Sequence, residues 1–136
     1  QGGDERTVRF PVTSQRILYI DDDDDISFIK KRRLEQVGFD VVMGQNKEET
    51  MQTFQNDPES FALVVIDQTT QEKSSAQLAR AFLCVRPGIP VVLITNNDGT
   101  LSPRLCKKFG IRAHLKRPVL YSDLIKKIKQ ILTDNE

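Results

Sequence analysis

The chain has 136 residues, of which 38% are hydrophobic and 29% charged, and its formal net charge is +1. This balance is typical of one globular domain with its own core and excludes a disordered or fibrous chain. All apolar runs are shorter than the roughly 18 residues of a membrane span, and the N-terminus lacks the layout of a secretory signal peptide. Two isolated cysteines suit a reducing compartment, so we expect a cytoplasmic protein without membrane contact.

Residues 1–14 show weak periodicity and predict a linker or tail, while residues 15–134 predict one domain of an α/β class. The chain does not begin with Met, so we expect it to be excised from a longer protein. Short apolar runs predict five strands, over residues 16–20, 39–43, 61–66, 91–94 and 111–115. Helical patterns follow each run, over about 25–37, 46–56, 75–86 and 101–109, with a last helix starting at 122 or 123.

The first helix is expected to pack an apolar side against the sheet, made of Ile26, Ile29, Leu34 and Val37. Residues 30–33 are then expected to point mostly outward. Gly38 is expected to close this helix, because glycine favours the C-terminal cap. Asn46 followed by Glu49 predicts a capping box at the start of the second helix.

Strands that lack apolar–polar alternation are typical of a parallel sheet covered by helices on both faces. Ligands of such sheets bind at the carboxyl ends of the strands. Polar side chains follow four of the five runs at that edge: Asp21 and Asp22, Asp67, Thr95, and Lys116 with Arg117.

Three carboxylates at one edge would repel one another, so either the pKa of one of them would be raised or a divalent cation would neutralise the cluster. Oxygen ligands favour a hard ion such as Mg²⁺. A carboxylate can act as a nucleophile toward phosphorus, and the hydroxyl and basic side chains could bind phosphoryl oxygens. The edge therefore predicts phosphoryl-transfer chemistry. For any single aspartate the alternative remains that it only caps a helix, since Asp is common at that position.

Four motifs, at residues 17–26, 63–67, 91–95 and 115–118, resemble those of bacterial response-regulator receiver domains, and the resemblance runs from about 16 to 132. It implies a flavodoxin-like (βα)5 fold with a five-stranded parallel sheet in the order 2-1-3-4-5. It also implies a phosphoryl donor, which would be a sensor histidine kinase or a phosphotransfer protein. By this resemblance, Asp67 is the phosphoacceptor and Thr95 is the switch hydroxyl. The implied Mg²⁺ ligands are Asp21, Asp22, Asp67 and the backbone carbonyl of Thr69.

Some positions depart from the receiver pattern. Arg117 stands where the family has lysine, and Lys116 one position earlier is expected to point to the other face of the strand. His114 matches the switch aromatic position. The segment after Asp67 also differs, with Thr70 and Gln71 in place of the usual Met-Pro. The departures bear on the switching mechanism more than on phosphate acceptance. Arg117 and the atypical segment after Asp67 support an alternative, a receiver that is not phosphorylated and serves as a protein-interaction module.

A third hypothesis is a phosphatase of the haloacid-dehalogenase type, because Asp21 and Asp23, Thr95 and Lys116 imitate its motifs. The chain is short for such an enzyme, and we expect a receiver that turns over no separate substrate. The surface of the fourth helix, fifth strand and fifth helix is expected to be the partner or homodimer face. Its basic residues lack aromatic interleaving, so we do not expect direct nucleic-acid binding.

Overall fold

The computed structural model describes residues 15–22, 24–44, 46–67, 72–96 and 101–134. The expected tail at residues 1–14 lies outside this part of the chain. In the described part, strands and helices alternate along the chain as the sequence predicts, with one additional short 3-10 helix, Pro58–Ser60.

A single five-stranded parallel sheet forms the centre of the molecule. Its spatial order is β2-β1-β3-β4-β5, which confirms the predicted order 2-1-3-4-5. The central strands consist almost entirely of buried residues because helices cover both faces. The strands are β1 (Arg16–Asp21), β2 (Asp40–Gly44), β3 (Leu63–Asp67), β4 (Val91–Thr95) and β5 (Ala113–Lys116).

Five α-helices connect or follow the strands and divide between the two faces. One core cluster joins side chains of α2, α3 and α4 to one face, and the other cluster joins those of α1 and α5 to the opposite face. Successive strand residues alternate between these two clusters. The position of a residue in its strand therefore determines on which face of the sheet its side chain lies, also at the carboxyl ends of the strands. The helices are α1 (Asp24–Glu35), α2 (Lys47–Asn56), α3 (Glu72–Val85), α4 (Pro103–Phe109) and α5 (Tyr121–Asp134).

Helix ends follow the sequence signals. The side chain of Asn46 accepts hydrogen bonds from the backbone N–H groups of Glu48 and Glu49, which confirms the predicted N-cap of α2. Gly38 follows α1 with a φ of 100°, and Gly110 ends α4 with a φ of 82°, a left-handed conformation that glycine adopts without steric cost.

The inward side of α1 differs from the predicted one. Of the four apolar residues expected to pack against the sheet, only Leu34 is buried; Ile26, Ile29 and Val37 are 39%, 47% and 40% exposed. The side that faces the sheet carries Ser27, Lys30 and Leu34, a helical repeat of three and four residues.

Arg32 and Arg33 are exposed, in line with the expectation that residues 30–33 point mostly outward, but Lys30 is an exception, since its side chain is only 12% exposed. The physical reason is that the first half of α1 lies beside the polar edge of the sheet, where an inward position meets carboxylates instead of apolar side chains.

Within the described residues, every helix is too short or too polar to cross a membrane.

Candidate functional site

Two carboxylates lie side by side at the carboxyl edge of the sheet. Asp21 and Asp67 end the adjacent strands β1 and β3 and are register partners, and both are almost fully buried, with 1% and 3% of their surface exposed. Both belong to the α1/α5 face, because they follow Tyr19 and Val65 by two residues. Two buried negative charges on neighbouring strands repel each other, so this arrangement requires positive charge nearby.

Lys30 supplies that charge from α1. Its Nζ lies 2.8 Å from Oδ2 of Asp21 and 2.8 Å from Oδ2 of Asp67, so the ammonium bridges the two carboxylates. Burial by itself lowers the pKa of Lys30, but the hydrogen bonds to Asp21 and Asp67 outweigh it and leave the pKa above its ordinary value. Lys30 is therefore a charged ammonium at neutral pH.

Tyr19 adds a second donor to the same oxygen. Its hydroxyl donates a hydrogen bond of 2.6 Å to Oδ2 of Asp67. Burial, followed by the negative charge of Asp67 and the hydrogen bond to it, raises the pKa of Tyr19 far above its ordinary value. The phenol is therefore protonated and a hydrogen-bond donor at neutral pH.

Arg117 contacts the other oxygen of the central carboxylate. Its guanidinium donates to Oδ1 of Asp67 and also, over 3.2 Å, to Oδ1 of Asn96 at the end of β4. Lys116, by contrast, is exposed and lines a groove beside α4, as the alternation of strand residues predicts. Arg117 is thus the basic residue that the fifth strand brings to Asp67.

The hydroxyl of Thr95 is held on the opposite face of the sheet. Thr95 is fully buried at the end of β4, and its Oγ1 lies 2.6 Å from Nε2 of His114 on β5. Thr95 and His114 both belong to the set of strand residues that faces α3 and α4. The two residues that the receiver resemblance names as switch positions are therefore in direct contact.

The other predicted site residues are placed less centrally. Asp22 follows β1 and is exposed, and Thr69 lies outside the described residues. Within the described residues, no group of three or more His, Cys, Asp or Glu side chains comes together as a metal site. Asp21 and Asp67 thus converge as predicted, whereas Asp22 lies at the surface of the same edge.

The donor chemistry nevertheless suits a hard cation. Carboxylate oxygens are what Mg²⁺ prefers, and the bridging position of Lys30 shows that the Asp21–Asp67 pair attracts positive charge. The carboxylates present therefore fit a divalent ion by their chemistry, and the ammonium of Lys30 stands between the two buried ones.

Sequence reasoning missed Lys30 and Tyr19, although the signals for both were available. Tyr19 precedes Asp21 by two residues and must share its face of the sheet. Lys30 precedes the buried Leu34 by four residues and must share its side of α1. A groove of about 500 Å³ beside Asp67 is lined by both residues, by Arg117, and by apolar side chains of α1, α5 and the segment before α5.

Comparison with known proteins supplies relatives of moderate similarity, although no protein-family model matches the sequence. The chain is 26% identical over 124 residues to ethylene receptor 2 of Oryza sativa and 25% identical over 117 residues to the transcriptional regulatory protein CpxR of Escherichia coli. These matches take in 88% and 86% of the chain but only 16% and 49% of the two relatives. The chain thus spans a fraction of either protein.

Smaller relatives match over almost their whole length. The chain is 27% identical over 124 residues to the response regulator receiver protein CpdR of Brucella abortus, which takes in 87% of the chain and 97% of that protein. A receiver domain from Methanospirillum hungatei superposes with a TM-score of 0.78 at 26% identity, over 89% of the chain and 95% of that domain. One from Clostridium thermocellum gives 0.79 at 25% identity, over 88% and 94%.

Titration monitored by ultraviolet absorbance tests whether Tyr19 stays protonated, since the chain has two tyrosines and no tryptophan. In a Tyr121→Phe variant, the ultraviolet absorbance of tyrosinate reports on Tyr19 alone. We expect no ionisation near pH 10, the ordinary value for tyrosine, until the domain unfolds in base. Since the pKa is raised in the folded state, the stability that this phenol contributes is present below about pH 10 and is lost as the pH rises.

The same variant unfolded in urea is the control and should titrate near pH 10. Adding Asp67→Asn should lower the pKa of Tyr19, because it removes the neighbouring negative charge. Ionisation of Tyr19 near pH 10 in the folded domain would contradict the contact with Asp67.

Proposed function

We propose that this chain, a response-regulator receiver domain, accepts a phosphoryl group on Asp67 from a phosphohistidine. The donor would be a sensor histidine kinase or a phosphotransfer protein in the cytoplasm. The observation that carries the proposal is the position of Asp67 at the end of the central strand, buried, with donors or cations on both of its oxygens. A carboxylate held in this way is oriented for nucleophilic attack, and the positive groups around it match the charge of a phosphoryl group.

The contacts of the two oxygens differ, and this difference suggests which one attacks. Oδ2 is held by Tyr19 and Lys30. Tyr19 is 1% exposed, and the side chain of Lys30 is 12% exposed. Oδ1 is held by Arg117, whose side chain is 25% exposed. An incoming donor meets the more exposed side first, so Oδ1 is the nucleophile in our proposal.

The transfer then forms a bond between Oδ1 of Asp67 and phosphorus, and the bond between phosphorus and the donor imidazole nitrogen breaks. The electron pair of that bond returns to the imidazole. Arg117 moves from Oδ1 to the phosphoryl oxygens, where its guanidinium offsets negative charge. Tyr19 keeps the acceptor carboxyl in place through its hydrogen bond to Oδ2. The phosphoryl group stays on the domain, so no separate substrate is turned over.

Mg²⁺ would be held by the carboxylates of Asp21, Asp22 and Asp67 together with the carbonyl of Thr69, and when bound it would supply positive charge to the phosphoryl oxygens.

A partner surface is proposed on α4, β5 and α5. Phosphorylation adds about −1.5 to −2 charges near the end of β4. The Thr95 hydroxyl, which now contacts His114, could turn toward the phosphoryl group and release the histidine. His114 also lines a groove of about 540 Å³ together with basic side chains, Lys107 and Lys116 among them. This surface is where we expect a protein partner or a second copy of the chain to respond to phosphorylation.

Labelling with a small acyl phosphate tests the proposal. We expect intact-mass analysis to show one phosphoryl group per chain in the presence of Mg²⁺, removed by hydroxylamine as an acyl phosphate is. The Asp67→Asn variant should take up none, because an amide is not a comparable nucleophile.

The matched control is Asp40→Asn, which alters an exposed aspartate paired with Arg16 far from the site and should label normally. Labelling that persists in Asp67→Asn would rule out the assignment. A domain that stays unlabelled with every donor would instead favour the interaction module.

The guanidinium of Arg117 should slow the transfer. It is wider than a lysine ammonium and lies against Oδ1, so it must move before the donor approaches. We expect Arg117→Lys to be labelled roughly ten- to a hundredfold faster, corresponding to about 1–3 kcal/mol of activation free energy.

Rates are to be compared with the same donor and Mg²⁺ concentration. Arg104→Lys, at an exposed position of α4, is the control and should leave the rate unchanged. An Arg117→Lys rate equal to that of the natural domain would contradict the proposed obstruction.

A further inference from the structure

We propose that Lys30 is a built-in counter-ion that competes with a divalent cation for the carboxylates of Asp21 and Asp67. The inference deepens the proposed function, since it concerns the cation of the same site. It rests on the position of one side chain: Nζ of Lys30 lies 2.8 Å from an oxygen of each carboxylate, midway between the two strand ends. The ammonium thus occupies a position within contact distance of both carboxylates, which an ion held by both would also need.

The packing of α1 against the sheet directs the Lys30 side chain toward the two carboxylates. The side chain extends from the sheet-facing side of α1, one helical turn before the fully buried Leu34. The exposed residues Phe28 and Ile29 face away from the sheet, so the helix is anchored with Lys30 directed at the carboxylates. Because Lys30 is largely buried, its ammonium is poorly screened by solvent and interacts strongly with both charges.

The net charge at the carboxyl edge of the sheet makes Lys30 and a divalent ion compete for the same carboxylates. Asp21, Asp22 and Asp67 carry three negative charges, and Lys30 and Arg117 carry two positive ones, which gives these five side chains a net formal charge of −1. A divalent ion added beside Lys30 would change this to +1 and would place two cations within a few ångström of each other. With Lys30 displaced, the same ion gives a neutral cluster. We therefore expect the ion to bind only when the ammonium leaves.

The groove beside Asp67 can accommodate the displaced Lys30 side chain. Lys30 lines the groove beside Asp67, which is open to solvent and also lined by Ile26 and Tyr121. A lysine ammonium on its flexible four-carbon stem can swing into water there while its stem stays against apolar side chains. Occupancy of the site by metal would then be coupled to exposure of a positive charge on α1.

Mg²⁺ titration of a Lys30→Met variant tests this proposal. Methionine keeps the length of the side chain and removes its charge. We expect the variant to bind Mg²⁺ roughly tenfold or more tightly than the natural domain, because the competing cation is gone. Isothermal calorimetry and tyrosine fluorescence, with Tyr19 as the reporter at the site, measure the affinity without any phosphoryl transfer.

Thermal unfolding supplies a second readout. Without metal, Lys30→Met should melt several degrees below the natural domain, because two adjacent buried carboxylates lose their shared cation. Saturating Mg²⁺ should restore most of the loss, whereas it should shift the natural domain less. If the variant is unfolded without metal, refolding on addition of Mg²⁺ supports the proposal. A variant that stays unfolded at saturating Mg²⁺ contradicts it.

Two further variants isolate the charge at position 30. Lys31→Met removes the same charge from the next position of α1, about 100° around the helix, and should bind Mg²⁺ like the natural domain. Lys30→Arg keeps a positive charge at the site and should remain weak. Equal Mg²⁺ affinity of Lys30→Met and the natural domain, or tight binding by Lys30→Arg, would overturn the proposal.

The outcome can be separated from that of the proposed function. If acyl phosphate labels Asp67 in the natural domain but Lys30→Met gains no affinity for Mg²⁺, only the role of Lys30 is wrong. If Lys30→Met gains affinity but Asp67 is never labelled, only the phosphoacceptor role is wrong.

Discussion

The bridge of Lys30 between Asp21 and Asp67 is the interaction on which the rest of the site depends. Parallel pairing of β1 with β3 forces these two carboxylates together at the centre of the sheet edge, away from water. Buried like charges on adjacent strands are tolerated only with compensation. The compensation is internal, because an ammonium from α1 lies 2.8 Å from both. The fold therefore holds two buried carboxylates at the centre of the sheet edge with a cationic side chain of the same chain between them.

The two oxygens of Asp67 have different contacts. Tyr19 and Lys30 hold Oδ2 from the buried side, whereas Arg117 holds Oδ1 from the exposed side. Oδ2 is thus contacted by the less exposed side chains and Oδ1 by the more exposed one. Thr95, at the end of the next strand, contacts His114 on the opposite face of the sheet. Thr95 and His114 thus join the end of β4 to β5 on the face that α3 and α4 cover.

The sheet order and most of the site could be predicted from sequence because both depend on local patterns. Buried parallel strands read as short apolar runs, and Asp67 and Arg117 directly follow two of them. The role of Lys30 was missed because the apolar residues Ile26 and Ile29 suggested a different inward side for α1. Helical periodicity favours apolar residues inside, and it fails where a helix lies beside a polar edge. Such positions are where function overrides the apolar pattern.

A double-mutant cycle between Lys30 and Asp67 tests the central claim most directly. The free energy of unfolding would be measured without metal for the natural domain, Lys30→Met, Asp67→Asn and the double variant. Because the ammonium contacts the carboxylate in a buried site, the account predicts a coupling energy of about 1–3 kcal/mol. A coupling energy close to zero would show that the two charges do not interact, and would contradict the claim that Lys30 holds the carboxylate of Asp67.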